Sequence, residues 1–220
     1  MKVNEIFKSI SGESIEAGRL AIFIRLFGCQ LACSYCDSTY ACYGDDYVEM
    51  SISEILHKVN ELHCNKIVLT GGEPLLQVDS YDLIYELVKS GYSVEIETNG
   101  AVDLFKLRYE TDILLDYPDK VIVTMDWKCP SSKMRHKMIP SNLSELRPTD
   151  VLKCVVGSKE DLDEMKRVST LTAAQVFVSP VFGQIEPKDI VQYMIDNELN
   201  DVRFQLQIHK YVWPSNMRGV

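Results

Sequence analysis

Three cysteines fall within the stretch GCQLACSYCD (Gly28–Asp37), spaced C-x3-C-x2-C as Cys29, Cys33 and Cys36. Thiolates bind soft or borderline metals, and a closed structural zinc site wants four nitrogen or sulfur ligands, usually as two paired half-sites. No second C-x2-C and no H-x3-H occurs in the chain. Cys42 or His63 could complete a four-ligand set, but neither sits at a typical spacing. A thioredoxin-like reading of CSYC uses two of the cysteines and ignores Cys29. A bacterial ferredoxin run is C-x2-C-x2-C-x3-C-P. Here the first gap is longer, and Cys42 follows Cys36 too late and without a proline. A [4Fe–4S] cluster with an open position explains all three thiols. Three irons are held by protein, and the fourth is free to bind a small molecule and do chemistry on it.

A second motif lies one strand and one helix downstream. TGGEP (Thr70–Pro74) closes the apolar run KIVLT (Lys66–Thr70). Alone it reads as a turn. Glycines also let a backbone approach a ligand closely, and a carboxylate or carbonyl can accept from a ligand ammonium. Taken together, the triplet, the aromatic Tyr35 before its last cysteine and the Gly-Gly-Glu-Pro turn resemble the radical S-adenosylmethionine (SAM) superfamily. That resemblance implies that Cys29, Cys33 and Cys36 carry the cluster and that Gly71, Gly72 and Glu73 hold the methionine end of SAM.

The elements that position these motifs follow from hydrophobic periodicity. LAIFIRLF (Leu20–Phe27), KIVLT, YSVEIET (Tyr92–Thr98), VIVTM (Val121–Met125), VLKCVV (Val151–Val156), QVFVS (Gln175–Ser179) and VRFQLQ (Val202–Gln207) read as strands. Ser51 and Glu54 have capping-box spacing ahead of a helix to Cys64, with Ile55, Val59 and Leu62 on one face. Ser80–Ser90 reads as a helix stopped by Gly91, Lys159–Ser169 as one capped by Ser158, and Asp189–Leu199 as a third. The Pro/Ser-rich basic stretch Lys128–Asp150 is long for a bare connection, which marks it as functional or disordered. Strand–helix alternation implies parallel strands with right-handed crossovers. Six or seven strands are too few for a closed eight-fold barrel. An open doubly wound sheet is one solution. An α/β incomplete (β/α) TIM-like barrel of about six parallel strands fits better, because the candidate residues follow the strands at their C-terminal ends.

Composition bounds the rest. The chain has 220 residues, 46% hydrophobic and 25% charged, an ordinary globular balance. Net charge of -9 argues against a nucleic-acid partner, since phosphate neutralisation needs a basic surface. No apolar run is long enough to span a membrane, and MKVNEIFKSISGES lacks a signal-peptide core, so a cytoplasmic protein is expected. Cys42, Cys64, Cys129 and Cys154 are scattered and read as small buried hydrophobes.

Further stretches resemble one family within the superfamily, the 7-carboxy-7-deazaguanine synthases. They are SISGESIEAGRLAIFIRLFGC (Ser9–Cys29), CDSTYA (Cys36–Ala41), ETNG (Glu97–Gly100), DWKCPSSKM (Asp126–Met134) and QLQIHKYVWPSNMRGV at the end. Two positions depart from the family pattern: Ser11 stands where Gln is common, and Ser14 where Gly is common. The resemblance implies ring contraction of 6-carboxy-5,6,7,8-tetrahydropterin to 7-carboxy-7-deazaguanine with loss of ammonia, in queuosine-type biosynthesis. An electron from the cluster would cleave SAM to a 5′-deoxyadenosyl radical, which takes the hydrogen atom at C6 and later returns it. It further implies a single domain over 1–220, with an N-terminal extension to about 19 and a C-terminal segment from about 202 closing the site. Tyr35, Asp37, Thr98, Asn99, Ser131, Ser132, Lys133 and Ser179 would join the cofactor site, and Ser38 would meet Mg²⁺, whose remaining ligands are substrate oxygens and water. Ile10, Ser11, Gly12, Glu13, Arg25, Thr70, Gln207, His209, Lys210 and Val220 would form the substrate pocket. Arg25 in an apolar strand suits a planar carboxylate, although a solvent-facing or core-paired arginine satisfies the same position. A flavodoxin- or ferredoxin-type reductant and a homodimer are implied as well. The rival within the superfamily is a glycyl-radical activase acting on a protein, which shares the cysteine spacing but not the Ser9–Glu13 opening or the PSSK loop.

Overall fold

The computed structural model describes residues 1–111, 113–214 and 217–220. Its strands are β1 (Lys2–Ile10), β2 (Leu20–Leu26), β3 (Val48–Glu49), β4 (Lys66–Gly71), β5 (Ser93–Thr98), β6 (Val121–Trp127), β7 (Val151–Val156), β8 (Gln175–Pro180) and β9 (Val202–Phe204). Its helices are α1 (Ile52–Glu61), α2 (Ser80–Lys89), α3 (Ile113–Asp116), α4 (Asn142–Glu145), α5 (Lys159–Ser169), α6 (Pro187–Asp196) and α7 (His209–Val212). The strands form one sheet in the order β3-β1-β2-β4-β5-β6-β7-β8-β9. From β2 onward every pairing is parallel, whereas β1 runs antiparallel to both β2 and β3. The edge strands β3 and β9 do not pair, so the barrel is open, as the strand count predicts.

The expected punctuation is present. The Ser51 hydroxyl accepts from Glu54 N–H while the Glu54 carboxylate accepts from Ser51 N–H, and this box starts α1. Gly91 follows the α2 cap at φ +96°, a conformation that glycine adopts without a Cβ penalty. Ser158 caps α5 by accepting from Asp161 N–H. Three boundaries move. Lys2–Ile10, which the sequence reading treats as an extension, is a full sheet strand. The last strand ends at Phe204, because Gln205 turns aside to hold the 11–14 loop. The 128–150 stretch winds through two 3-10 turns and the single turn α4. Among the described residues between β5 and β6 the chain makes short helical turns, α3 among them.

Alternate residues of a strand face opposite sides, and here the two sides differ in kind. Val94, Ile96, Val123, Met125, Leu152 and Cys154 are fully buried in the core outside the barrel. The intervening Glu95, Glu97, Thr124, Asp126 and Lys153 point inward. The Thr124 hydroxyl donates to Glu95 at 2.7 Å, and Lys153 Nζ lies 2.8 Å from Glu13 and 3.3 Å from Asp126. The helices thus cover the apolar face, and the lumen is lined with charge.

Candidate active site

The cysteine loop is fastened to the Gly-Gly turn by backbone alone. Gly72 N–H donates to Leu26 C=O (3.1 Å), Glu73 N–H to Gly28 C=O (2.8 Å), and Gly28 N–H to Ala41 C=O (2.8 Å). A Cβ on Gly72 would stand 2.3 Å from Gly28 O, and one on Gly71 2.1 Å from Leu26 O. Both glycines are therefore required by close approach. Glu73 is fully buried; its carboxylate accepts from Leu75 N–H, the Thr98 hydroxyl and Asn99 N–H. Burial pushes this carboxyl up to about 7, against those three donors.

Cys29, Cys33 and Cys36 are half-buried and line one cavity of about 510 Å³ at the C-terminal ends of the strands. Cys29 Sγ accepts from Leu31 N–H (3.4 Å) and Asn99 Nδ2 (3.5 Å). Contact with the Cys42 thiol is the main cause that lowers the Cys29 and Cys36 thiols to about 6. Burial raises Cys33, with Lys128 opposing it. Tyr35 donates its hydroxyl to Val155 C=O (3.2 Å), and Ser34 bonds the Ser131 and Ser132 carbonyls, which braces the loop from the far side.

Across the cavity the walls are ionic. Arg25 Nε–H donates to Glu5 (2.7 Å), and no other hydrogen bond ties its guanidinium among the described residues. Glu13 gives one oxygen to Lys153, while its other oxygen is buried without a partner among the described residues. Burial also lifts Glu97 to about 7. Burial works to raise Asp126 too, but Lys128 at 3.0 Å and Lys153 outweigh it and hold the carboxyl below its ordinary range. His209 is lowered by burial. The C-terminal segment closes one side. Ile208 N–H donates to Gly12 C=O (3.1 Å), Lys210 pairs with Asp37 (2.9 Å), and Arg218 pairs with Asp46 (2.7 Å) while lying over the Tyr40 ring. Ser215 and Asn216 lie outside the described residues.

Most residues singled out from the sequence line this cavity. The cysteine loop brings Tyr35, Asp37 and Ser38 with its three thiols, and the strand ends bring Arg25, Thr70, Gly71, Gly72, Thr98 and Asn99. The N-terminal loop adds Ile10, Gly12 and Glu13, and the C-terminal segment adds Gln207, His209, Lys210 and Val220. Six do not line it. Ser11 is buried and donates its hydroxyl to Glu13 C=O (3.0 Å). Glu73 sits behind the wall that its hydrogen bonds support. Ser131 N–H is taken by Asp161 (2.8 Å), and the Ser132 hydroxyl by Cys129 C=O (2.6 Å). Lys133 is exposed, in a left-handed turn at φ +63°. Ser179 is fully buried, its hydroxyl without a partner among the described residues. Ser14 adopts φ +67°, a left-handed conformation that favours glycine, and its hydroxyl contacts that of Thr124 (2.9 Å).

The cavity also gathers Glu97, Asp126, Lys128, Lys153, Tyr40 and Cys42, none of them in the sequence-derived site. A signal existed for two of these: Glu97 and Lys153 are charged residues within apolar strand patterns, where a parallel sheet covered on both faces has no place for them.

Among the described residues, no three His, Cys, Asp or Glu side chains are arranged to hold a single metal ion. Three separate thiols with N–H donors on Cys29, facing a cavity floored by close-packed glycines, fit a cluster that each thiolate holds by a different iron, with SAM beside it. Ser38 also lines the cavity, and its lone hydroxyl suits a hard cation only as a minor ligand.

An open parallel barrel with this cysteine triplet at its C-terminal rim defines the radical SAM class, and the Radical SAM superfamily model matches residues 23–145, more than half of the chain. Among curated relatives, a 7-carboxy-7-deazaguanine synthase of Clostridium acetobutylicum is 43% identical over all of this chain and 99% of its own. One from Methanospirillum hungatei is 39% identical over 96% of this chain and 85% of its own. The chain belongs to the 7-carboxy-7-deazaguanine synthase family. A crystal structure of QueE from Escherichia coli shares the fold at a TM-score of 0.75, covering 94% of each chain at 21% identity. A Streptococcus suis SuiB structure bound to S-adenosylmethionine shares it at 0.57, covering 84% of this chain and 51% of its own at 14% identity. No helix among the described residues is long and apolar enough to cross a membrane.

Proposed function

We propose that this chain contracts the ring of 6-carboxy-5,6,7,8-tetrahydropterin to 7-carboxy-7-deazaguanine and releases ammonia. The observation that carries the substrate reading is Glu13: one carboxylate oxygen is locked by Lys153, while the other is buried, unpartnered and set in the cavity wall. A buried acceptor left unsatisfied costs about 1–3 kcal/mol, and the amino and ring N–H groups of a pterin are donors that would fill it. Arg25, oriented through Nε by Glu5, keeps its remaining N–H groups for a carboxylate, the bidentate match that arginine favours. A cavity of about 510 Å³ suits a cofactor and a small bicyclic substrate.

In this reading Cys29, Cys33 and Cys36 hold a [4Fe–4S] cluster, and Gly71, Gly72, Thr98 and Asn99 line the place of SAM. Cluster and SAM, when bound, supply the hydrogen-atom abstraction at C6. The protein's part is to orient the pterin and exclude quenching groups. Glu97, with its carboxyl pushed to about 7, can hold or release a proton beside the substrate as the amine departs. Residues 202–220 close the site of a single domain. Ser38 would give Mg²⁺ one hydroxyl, with water and substrate oxygens as the rest of its shell. A cytoplasmic homodimer served by a flavodoxin- or ferredoxin-type reductant is carried over from the family resemblance.

Anaerobically reconstituted protein given SAM, reductant, Mg²⁺ and the carboxypterin should form the deazaguanine and ammonia. SAM cleavage without that product, or cleavage stimulated by a protein substrate, would replace this reading with the activase. Ser38→Ala should raise the Mg²⁺ requirement and leave iron content unchanged.

A further inference from the structure

The opening of the barrel is bridged by a side chain. Among the described residues β1 and β9 do not pair with each other, yet the segments that follow them meet. Gln205 lies one residue past β9, and its own N–H donates to Val178 C=O at 2.9 Å, which keeps it in line with β8. Its carboxamide crosses to Ser14. The side-chain oxygen accepts from Ser14 N–H (2.6 Å), and Nε2 donates to Ser14 C=O (2.9 Å). A carboxamide presents one acceptor and one donor side by side, so it satisfies both backbone groups of a single residue. Nearby, Ile208 N–H donates to Gly12 C=O (3.1 Å). The His209 ring packs so closely there that a Cβ on Gly12 would stand 2.2 Å from its Nδ1.

Gly12 and Ser14 flank Glu13. Ser14 is buried at φ +67°, a conformation disfavoured for a residue that carries a Cβ. Three contacts hold it there: the two from Gln205, and its hydroxyl against that of Thr124 (2.9 Å), which in turn donates to Glu95 (2.7 Å). We infer that Gln205 is a positioning residue for the substrate: it latches the Ser14 backbone across the barrel opening and so aims the free oxygen of Glu13 into the cavity. Lys153 takes the other Glu13 oxygen at 2.8 Å. A carboxylate held by one oxygen can still swing about that contact, and a fixed backbone removes this freedom. The Ser11 hydroxyl, donating to Glu13 C=O at 3.0 Å, fixes the same backbone from the other side. Gln205 and Ser14 do not line the cavity themselves, so their effect on a ligand passes through Glu13. The inference rests on the reading of Glu13 as the acceptor for the substrate's N–H groups.

The test is calorimetric titration of 6-carboxy-5,6,7,8-tetrahydropterin into anaerobically reconstituted holoenzyme with SAM and without reductant, so that binding is read apart from turnover. Gln205→Leu keeps the side-chain volume and removes both hydrogen bonds. It should weaken pterin binding about tenfold, the order of one well-aligned hydrogen bond, while SAM affinity and iron content stay at the wild-type level. Glu13→Gln should also weaken binding. Adding Gln205→Leu to Glu13→Gln should then weaken it by less than about twofold, because residues that act through one another are not additive. The same tenfold loss in both backgrounds would show a general structural effect and overturn the inference, as would wild-type affinity in Gln205→Leu. If Gln205→Leu fails to fold, Gln205→Glu decides. It still accepts from Ser14 N–H but sets a carboxylate oxygen against the Ser14 carbonyl, so binding should fall at least about threefold; unchanged binding refutes the latch. A wild type that takes SAM but not the pterin would instead overturn the substrate reading itself, and this inference with it.

Discussion

Replacing Gly72 by alanine asks whether the cysteine loop is held by backbone contact with the Gly-Gly turn. The new Cβ would stand 2.3 Å from Gly28 O, 2.7 Å from Gly28 C and 2.8 Å from Cys29 Cβ. None of these is the far end of a flexible side chain, so the loop itself must retreat. Ordinary carbon contacts lie at about 3.5 Å, which requires a shift of about 1 Å. That displacement stretches the 2.8 Å hydrogen bond from Glu73 N–H to Gly28 C=O beyond the useful range. Losing it costs about 1 kcal/mol, and overpacking adds about 1–3 kcal/mol. A total of about 2–4 kcal/mol is a large share of a typical stability of about 5–15 kcal/mol. Urea unfolding of the anaerobic apo-protein, followed by the fluorescence of buried Trp127, should show a lower midpoint with the slope unchanged. Because Cys29 moves with the loop, reconstitution should also yield substoichiometric iron. Gly183→Ala is the control: glycine is left-handed there at φ +76° with open space around it, so about 1–2 kcal/mol is lost but iron loading is kept. A Gly72→Ala protein within 0.5 kcal/mol of wild type and full of iron would refute the close-packing argument.

Two further outcomes follow from buried charge. Asp150 is fully buried, with Arg108 at 2.5 Å, Arg147 at 3.1 Å and the Val123 and Arg147 backbone N–H groups on its oxygens. Asp150→Ala strands Arg108, which is almost as buried, and should cost about 3–5 kcal/mol by chemical denaturation; a loss below 1 kcal/mol would show that water reaches the site. Glu73 is held at about 7 in the folded chain, above its ordinary value near 4.5. Across that window the folded state binds more protons than the unfolded state, so stability falls as pH rises from about 4.5 to 7, by at most roughly 3 kcal/mol. Glu97, also lifted to about 7, contributes in the same direction. Glu73→Gln should flatten the slope between pH 5 and 8 in apo-protein denaturation; an identical slope in both proteins would exclude Glu73 as its source.

The sequence by itself determined the radical SAM motifs and the order of the main parallel strands and helices. Cys29, Cys33 and Cys36 lie within a single loop, so their spacing sets which thiols can share a cluster. Ser51, Gly91 and Ser158 act within one helical turn, so their roles are legible locally. Apolar runs of five to eight residues between helices specify parallel strands, too few of them to close an eight-fold barrel.

Only the tertiary structure decided what faces the cavity. Lys153 and Glu13 are far apart in the chain but meet at 2.8 Å, because β7 and the loop after β1 border one lumen. Cys42 reads as a scattered cysteine until the Gly28–Ala41 hydrogen bond folds it back against the cluster loop. Ser11, Ser132 and Ser179 have the right residue types for a ligand, but the fold turns Ser11 and Ser132 onto the main chain and encloses Ser179. Spacing fixes distances within a loop or helix, where a few torsions connect the residues. Orientation across a sheet depends on how all of the intervening strands twist and pack, and no short stretch of residues encodes that.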